Sequence, residues 1–214
     1  MKANDYRRAS KEYRAWLVDL DGTLYRSQLV KLTMAAELAL AGLHRINTLK
    51  SFRQIHEELR VELQSEPERS YDPSPFAEQI RRTALSSRSK EEDVEKIVRE
   101  WMLERPGKWL KRARRPELIR AIEGFRRRGG KTAVVSDYPA EEKLEALEIR
   151  SLFDVVVTSG EHPEVRRLKP APDSLLIAAR ELDQSASDCL VIGDREDADG
   201  AAAQAAGMDF HLVG

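Results

Sequence analysis

Short apolar segments alternate with helical patterns along most of this chain, and this alternation restricts the fold more than any other feature. The apolar segments cover residues 15–18, 132–136, 153–157 and 189–192, and a further one covers 210–213. Runs of this length are typical of strands in a parallel sheet that is covered on both faces. The intervening residues 116–128, 139–149 and 172–182 read as helices, and an alanine-rich helix ends at Gly207. We therefore expect an α/β fold with a parallel sheet.

Residues 26–112 interrupt this pattern, because they contain little Val or Ile and no strand-like alternation. They predict helices at residues 29–46, 48–64, 75–86 and 90–105. Three prolines from residue 67 to residue 75 exclude a continuous helix there. Ser89 and Glu92 predict a capping box for the last helix. The sequence thus predicts an α/β core formed by residues 1–25 and 113–214, with an all-helical insert at 26–112.

The composition excludes several classes of protein. The 214 residues include 41% hydrophobic residues and carry a net charge of −1, which describes a folded chain with no bias toward nucleic acid. No apolar run reaches the length of a membrane span, and the polar N-terminus does not resemble a secretory signal. One cysteine, Cys189, excludes an internal disulfide and fits a reducing compartment. We expect a cytoplasmic protein without nucleic-acid or membrane partners, and the oligomeric state stays open.

Polar side chains follow the carboxyl ends of the predicted strands. Asp19 and Asp21 follow the first strand, Ser136 ends the second, and Asp194 follows the strand at 189–192. Ligands of open parallel sheets bind at this edge. Asp19 and Asp21 are two residues apart and share one face of an extended segment. Two carboxylates in one small space repel each other unless they bind a cation, share a proton, or take different protonation states and catalytic roles.

These groups, together with Lys169, suit phosphoryl transfer. Clustered carboxylates bind Mg²⁺, while a lysine and a small hydroxyl stabilise charge on the transferring oxygens. The chain has no G-x-x-x-x-G-K-[ST] loop for a nucleotide, and its four histidines lack the spacing of metal ligands. If a covalent intermediate forms, an aspartate is the natural nucleophile.

The chain resembles the haloacid dehalogenase (HAD) superfamily, and specifically its phosphatase-like members. The D-x-D-G-T motif at Asp19, a serine closing the second strand, Lys169 before a proline, and G-D at Asp194 occur in the order of that family. The resemblance covers the predicted core. It implies a Rossmann-like sheet with a helical cap inserted after the first motif, and a Mg²⁺-dependent phosphatase that acts on a small phosphorylated metabolite through an aspartyl-phosphate.

The resemblance also implies roles for the catalytic residues. Asp19 would attack phosphorus, and Asp21 would protonate the leaving group and later activate water. Ser136 would bind a phosphoryl oxygen, and Lys169 would offset charge between Asp19 and the phosphate. Dehalogenation is disfavoured, because members that dehalogenate carbon carry another residue at the position of Asp21.

The same resemblance implies the metal site. Asp194 would hold Mg²⁺ together with the Asp19 carboxylate and the Asp21 backbone carbonyl. Asp199 would support these groups without contacting the metal. Asp199 is favoured over Asp197, because its five-residue spacing from Asp194 is a known variant of the motif.

The sequence also leaves other interpretations open. A sugar phosphomutase would need a cap that excludes water, and a phosphonatase would use a cap lysine, for which Lys31 is the candidate. A non-catalytic HAD-like binding protein would normally lack one of the motif residues. A phospho-receiver domain carries its acceptor aspartate after the third strand, which is the wrong order for this chain. The six basic residues between 105 and 115 predict either an anion-attracting hinge or a solvated linker.

Overall fold

The core is a five-stranded parallel sheet in a computed structural model that describes residues 12–213. The strand order is β3-β2-β1-β4-β5. The strands are β1 (Ala15–Val18), β2 (Lys131–Ser136), β3 (Val155–Thr158), β4 (Cys189–Gly193) and β5 (Asp209–Leu212). The expected α/β parallel sheet is confirmed, and the last strand begins one residue earlier than predicted, at Asp209. The part of the predicted core at residues 1–11 lies outside the described residues.

Helices lie between the strands and also fill the long segment after β1. That segment contains α1 (Ser27–Ala41), α2 (Ile46–Ser65), α3 (Pro75–Ser87), α4 (Glu91–Val98) and α5 (Gly107–Ala113). The later helices are α6 (Pro116–Arg127), α7 (Glu141–Ala146), α8 (Asp173–Glu181) and α9 (Ala201–Ala205). Among residues 12–213, no helix has both the length and the apolar character needed to cross a membrane.

The central strands β1 and β4 are buried on both faces, which explains why they carry no charged or polar side chain before the sheet edge. On β1, Trp16 and Val18 join the cluster formed with α6, while Ala15 and Leu17 join the cluster formed with α8 and α9. The Trp16 ring stacks on Phe125 of α6 at 4.3 Å between ring centroids. Successive side chains of a strand point to opposite faces, so β1 anchors both layers of helices.

The insert has a hydrophobic cluster of its own, formed by residues of α2, α3 and α4 with Trp101. The single helix predicted at 29–46 is wrong: α1 ends at Ala41, and Gly42 follows it. A Cβ atom at Gly42 would lie 2.7 Å from the Trp101 ring, so the chain passes this indole too closely for another residue. The predicted capping box is also wrong, because α4 begins at Glu91 and the Ser89 hydroxyl donates to the Ser87 carbonyl.

The chain leaves and re-enters the core through two segments that run side by side. Tyr25 and Arg114 form an antiparallel bridge, and the Arg26 amide donates to the Ala113 carbonyl at 2.8 Å. The basic stretch beside this crossing is paired with acids: Lys108 contacts Glu37, and Lys111 contacts Glu148. These contacts favour a neutralised linker over an anion-attracting hinge.

We expect Phe125→Ala to lower the free energy of unfolding by about 3–5 kcal/mol, because it removes a buried ring stacked on Trp16 and leaves a cavity beneath the sheet. Urea unfolding followed by circular dichroism measures this change. Leu40→Ala is the control, since that side chain is 90% exposed, and its effect should stay within about 0.5 kcal/mol. Equal effects of the two substitutions would contradict the assigned core.

Candidate active site

The carboxyl ends of β1, β2 and β4 bring the predicted motif residues to one edge of the sheet. Val18 lies between Val134 of β2 and Ile192 of β4, so Asp19 emerges beside the ends of both neighbours. The Asp19 amide donates to the Ile192 carbonyl at 2.8 Å, which fixes the start of this loop against β4. Parallel pairing in register therefore places side chains from distant parts of the sequence in one small volume.

Lys169 is the centre of this cluster. Its Nζ donates to Asp19 Oδ1 at 2.7 Å, to Asp199 Oδ1 at 2.6 Å and to the Val135 carbonyl at 3.3 Å. The ammonium is almost completely buried. Burial opposes its charge, but Asp19 and Asp199 outweigh this effect, so the pKa of Lys169 is raised. Lys169 is therefore held charged beside Asp19.

The carboxylates around Lys169 carry more negative charge than one ammonium neutralises. Oxygen atoms of Asp19, Asp194 and Asp199 lie within 4.8 Å of one another. Burial and the charges of Asp199 and Asp194 raise the pKa of Asp19 to about 7, against the opposing effect of Lys169. Burial and Asp199 likewise raise the pKa of Asp194. A divalent cation at these oxygens would relieve the repulsion.

Gly22 brings the turn after β1 against Asp194. Its φ angle is +102°, a conformation that L side chains rarely adopt, and a Cβ atom there would lie 1.9 Å from Asp194 Oδ2. The backbone of the first motif and the Asp194 carboxylate are therefore packed with no room for a side chain between them. The carboxylate oxygens of Asp19 and Asp194 fit Mg²⁺, which prefers hard oxygen ligands.

Asp199, and not Asp197, reaches this cluster. Asp199 is 2% exposed and bonds to Lys169 through Oδ1, while its Oδ2 accepts from the Arg195 amide at 3.1 Å. Asp197 is exposed and is paired with the Arg195 guanidinium. Both oxygens of Asp199 are engaged, which suits a residue that orients Lys169 and the loop after β4.

Asp21 has two partners that the sequence pattern did not indicate. Lys143 of α7 is buried, and its Nζ lies 2.7 Å and 2.8 Å from the two oxygens of Asp21. The Tyr25 hydroxyl also donates to Asp21. Although burial opposes ionisation, Lys143 and Tyr25 lower the pKa of Asp21. In this arrangement Asp21 is ionised and its carboxylate is fixed in orientation.

Asp137 links the site to the insert. It follows Ser136, a buried residue whose Oγ accepts from the Tyr138 amide at 3.2 Å. Asp137 accepts the Lys169 amide at 3.0 Å through Oδ1 and the Arg60 guanidinium at 2.7 Å through Oδ2. His56, one turn before Arg60 on α2, stacks on the Tyr138 ring at 4.6 Å. The positions of Arg60 and His56 carry no local signal of this contact.

A model of the haloacid dehalogenase-like hydrolases matches residues 13–207. The chain belongs to this family of hydrolases. No curated protein sequence matches it significantly.

Solved structures of HAD proteins share the fold of this HAD-like chain. The HAD-hydrolase YfnB from Bacillus subtilis, bound to magnesium, is 17% identical with a TM-score of 0.62, covering 94% of this chain and 89% of that one. CbbY from Rhodobacter sphaeroides, in complex with phosphate, is 23% identical with a TM-score of 0.58, covering 92% and 84%. A dehalogenase with an intermediate complex is 14% identical with a TM-score of 0.62, covering 95% and 85%. These similarities establish the fold. They do not identify the reaction, which depends on the side chains of the site.

Gly22→Ala should weaken Mg²⁺ binding by at least about tenfold, because the added methyl group would displace the Asp194 carboxylate. Calorimetric titration with Mg²⁺ measures the affinity. Gly207→Ala is a matched control, since Gly207 also has a positive φ angle but nothing lies within 4 Å of its added Cβ. The control should lose about 1 kcal/mol of stability and keep its metal affinity. Equal metal affinity in the two variants would contradict the packing of Gly22 on Asp194.

Proposed function

We propose that this HAD-like hydrolase is a Mg²⁺-dependent phosphomonoesterase that acts on a small phosphorylated metabolite through an aspartyl-phosphate. The observation that carries this proposal is the buried cluster in which Lys169 holds Asp19 and Asp199 beside Asp194. A nucleophilic carboxylate that must approach an anionic phosphoryl group needs such positive charge beside it.

In the first step, an Asp19 carboxylate oxygen attacks phosphorus and the bond to the leaving-group oxygen breaks. Asp21 donates a proton to that oxygen, and Ser136 donates a hydrogen bond to a phosphoryl oxygen. Lys169 neutralises charge between Asp19 and the phosphoryl group. Asp19, Asp194 and the Asp21 carbonyl would hold Mg²⁺, which offsets further charge on the phosphoryl oxygens when bound.

In the second step, water attacks phosphorus and Asp21 takes its proton, which releases phosphate and restores Asp19. The contacts with Lys143 and Tyr25 keep Asp21 ionised and therefore suit this role as a base. To act as the acid in the first step, Asp21 must gain a proton and turn from Lys143 toward the leaving group.

We propose that residues 26–112 act as a cap over a core of residues 1–25 and 113–214. Three contacts between the described parts support this arrangement. Arg60 binds Asp137, the Phe76 amide donates to Ser159 Oγ at 3.0 Å, and the Tyr71 amide donates to the Arg166 carbonyl at 2.9 Å. A cap in this position would cover the phosphoryl group and shield it from bulk solvent, while a single water still reaches phosphorus in the second step.

A phosphonatase receives no comparable support. Lys31, the candidate amine of a phosphonatase, is exposed on α1. An imine-forming amine is activated by apolar surroundings or by a neighbouring cation, and an exposed lysine lacks the first of these.

Hydrolysis of a panel of phosphomonoesters tests this function. We expect Mg²⁺-dependent release of phosphate by the wild type and a loss of about three orders of magnitude or more in Asp19→Asn. Asp197→Asn is the matched control, because Asp197 is an exposed acid of the neighbouring loop, and it should keep its activity. Circular dichroism confirms that each variant is folded. Activity retained in Asp19→Asn, or no release by the wild type on any ester, would overturn the proposal.

Binding of Mg²⁺ should weaken as the pH falls below about 7. The pKa of Asp19 is raised to about 7 in the metal-free protein, by burial and by the neighbouring acids, so protons compete with the cation in this range. We expect a loss of up to about tenfold in affinity per pH unit from about pH 7 downward, and little change above about pH 8. Calorimetric titration without substrate measures this dependence. A flat profile across pH 7 would show that Asp19 does not bind the metal.

A further inference from the structure

Arg60 presents buried hydrogen-bond donors that nothing in the described part of the chain accepts. It lies on α2, and its side chain is 9% exposed. One nitrogen, Nη2, donates to Asp137 Oδ2 at 2.7 Å, while Nε and Nη1 are buried without an acceptor. Nη1 lies 3.6 Å from Glu57 Oε1, which is beyond a normal hydrogen bond. Buried donors that lack an acceptor destabilise a fold, so these two nitrogens indicate that a bound group accepts their hydrogen bonds.

The position of Arg60 relates these donors to the active site. Its partner Asp137 follows Ser136 and accepts the Lys169 amide, so one carboxylate joins Arg60 to two residues of the proposed phosphoryl site. Tyr138 follows Asp137 in the chain, and its ring stacks on His56 of α2 at 4.6 Å between ring centroids, so it lies where the insert meets the end of β2. A ligand that extends from the proposed phosphoryl site at Asp19 and Ser136 toward Asp137 would approach Arg60.

Glu57 indicates which chemical group fits beside Arg60. Its Oε1 lies 3.6 Å from Arg60 Nη1 and 3.4 Å from Arg195 Nη1. A carboxylate of the chain itself therefore stands between a guanidinium of the insert and one of the core. The Glu57 side chain is 58% exposed, so it has open solvent into which it can move when another anion arrives.

We infer that Arg60 recognises a second anionic group of the substrate, either a carboxylate or a second phosphate, at the end remote from the transferred phosphoryl group. This inference rests on the proposed phosphatase function and specifies its substrate class. Arginine suits the task because its charge is permanent and its donors form charge-assisted hydrogen bonds with both kinds of anion. The substrate would satisfy donors that the protein leaves free and would tie the insert to the core through one molecule.

Non-hydrolysable phosphonates test this recognition without requiring turnover. In the presence of Mg²⁺, calorimetry compares alkyl phosphonates of increasing chain length that end in a carboxylate, in a second phosphonate or in a neutral hydroxyl. The wild type should bind at least one length of a doubly anionic probe about tenfold to a hundredfold more tightly than its hydroxyl analogue. The carboxylate and phosphonate series show which anion the site prefers.

Substitutions at Arg60 separate recognition from a purely structural contact. Arg60→Gln should bring the ratio of the two affinities close to one, and Arg60→Lys, which retains the charge, should keep part of the preference. A general loosening of the insert would weaken both probes and leave their ratio unchanged. Arg82→Gln is the control, because Arg82 pairs with Glu62 and Glu78 within the insert. It should keep the wild-type ratio.

The outcomes are distinct for the two proposals. A wild type without preference for the second anion, or a folded Arg60→Gln variant with the wild-type ratio, would overturn the inference about Arg60. The corresponding phosphate esters test turnover separately. If the phosphonates show the preference but none of the esters is hydrolysed, the inference about Arg60 stands and the phosphatase function fails.

Discussion

The buried ammonium of Lys169 is the interaction on which the architecture of the site depends. Asp19 and Asp199 approach each other at the carboxyl edge of the sheet, where both are buried and like charges repel strongly, and Lys169 lies between them. It also bonds to the Val135 carbonyl, so the backbone of β2 helps to hold it. The cluster joins segments that follow β1, β3 and β4. Removing the lysine charge would leave buried acids unpaired, which is strongly destabilising.

One ammonium does not neutralise all of the acids at this edge. Asp194 adds a further carboxylate, and the raised pKa of Asp19 reports the remaining repulsion. The same imbalance would favour the binding of a hard divalent cation. Gly22 permits this arrangement, because its backbone packs against Asp194 where any side chain would collide. The fold therefore concentrates negative charge at this edge, and this charge would suit the cation and the phosphoryl group of the proposed reaction.

In the proposed arrangement the insert covers the site, and it also contributes charged side chains to it. Arg60 reaches Asp137 across the boundary, and Glu57 of the same helix approaches Arg195. The Arg60–Asp137 pair is buried, so separating the two parts would leave an unsatisfied charged group on each side. The position of the insert is thus coupled to the residues next to Ser136. A substrate anion at Arg60 would act at the same point and so would favour the closed arrangement.

The sequence by itself determined the parallel sheet and the residues that gather at its edge. Hydrophobic periodicity is a local property, and strands that alternate with helices pair in parallel, so Asp19, Ser136 and Asp194 had to emerge on one side. The resemblance to the family motifs predicted Lys169 as a further residue of this site. The sequence did not determine where α1 ends, since the close approach of Gly42 to Trp101 depends on packing between helices.

Only the tertiary structure decided the partners of these residues. Lys143 meets Asp21 across 122 positions of the chain, and Arg60 meets Asp137 across 77. Both cations lie on helices whose local pattern is that of an ordinary amphipathic segment, so no spacing marks them. Likewise, Asp199 is buried against Lys169 while Asp197 is exposed, although both acids follow the same strand. This difference arises from tertiary packing. Contacts of this kind depend on how helices and loops pack on the finished sheet, which local sequence patterns do not encode.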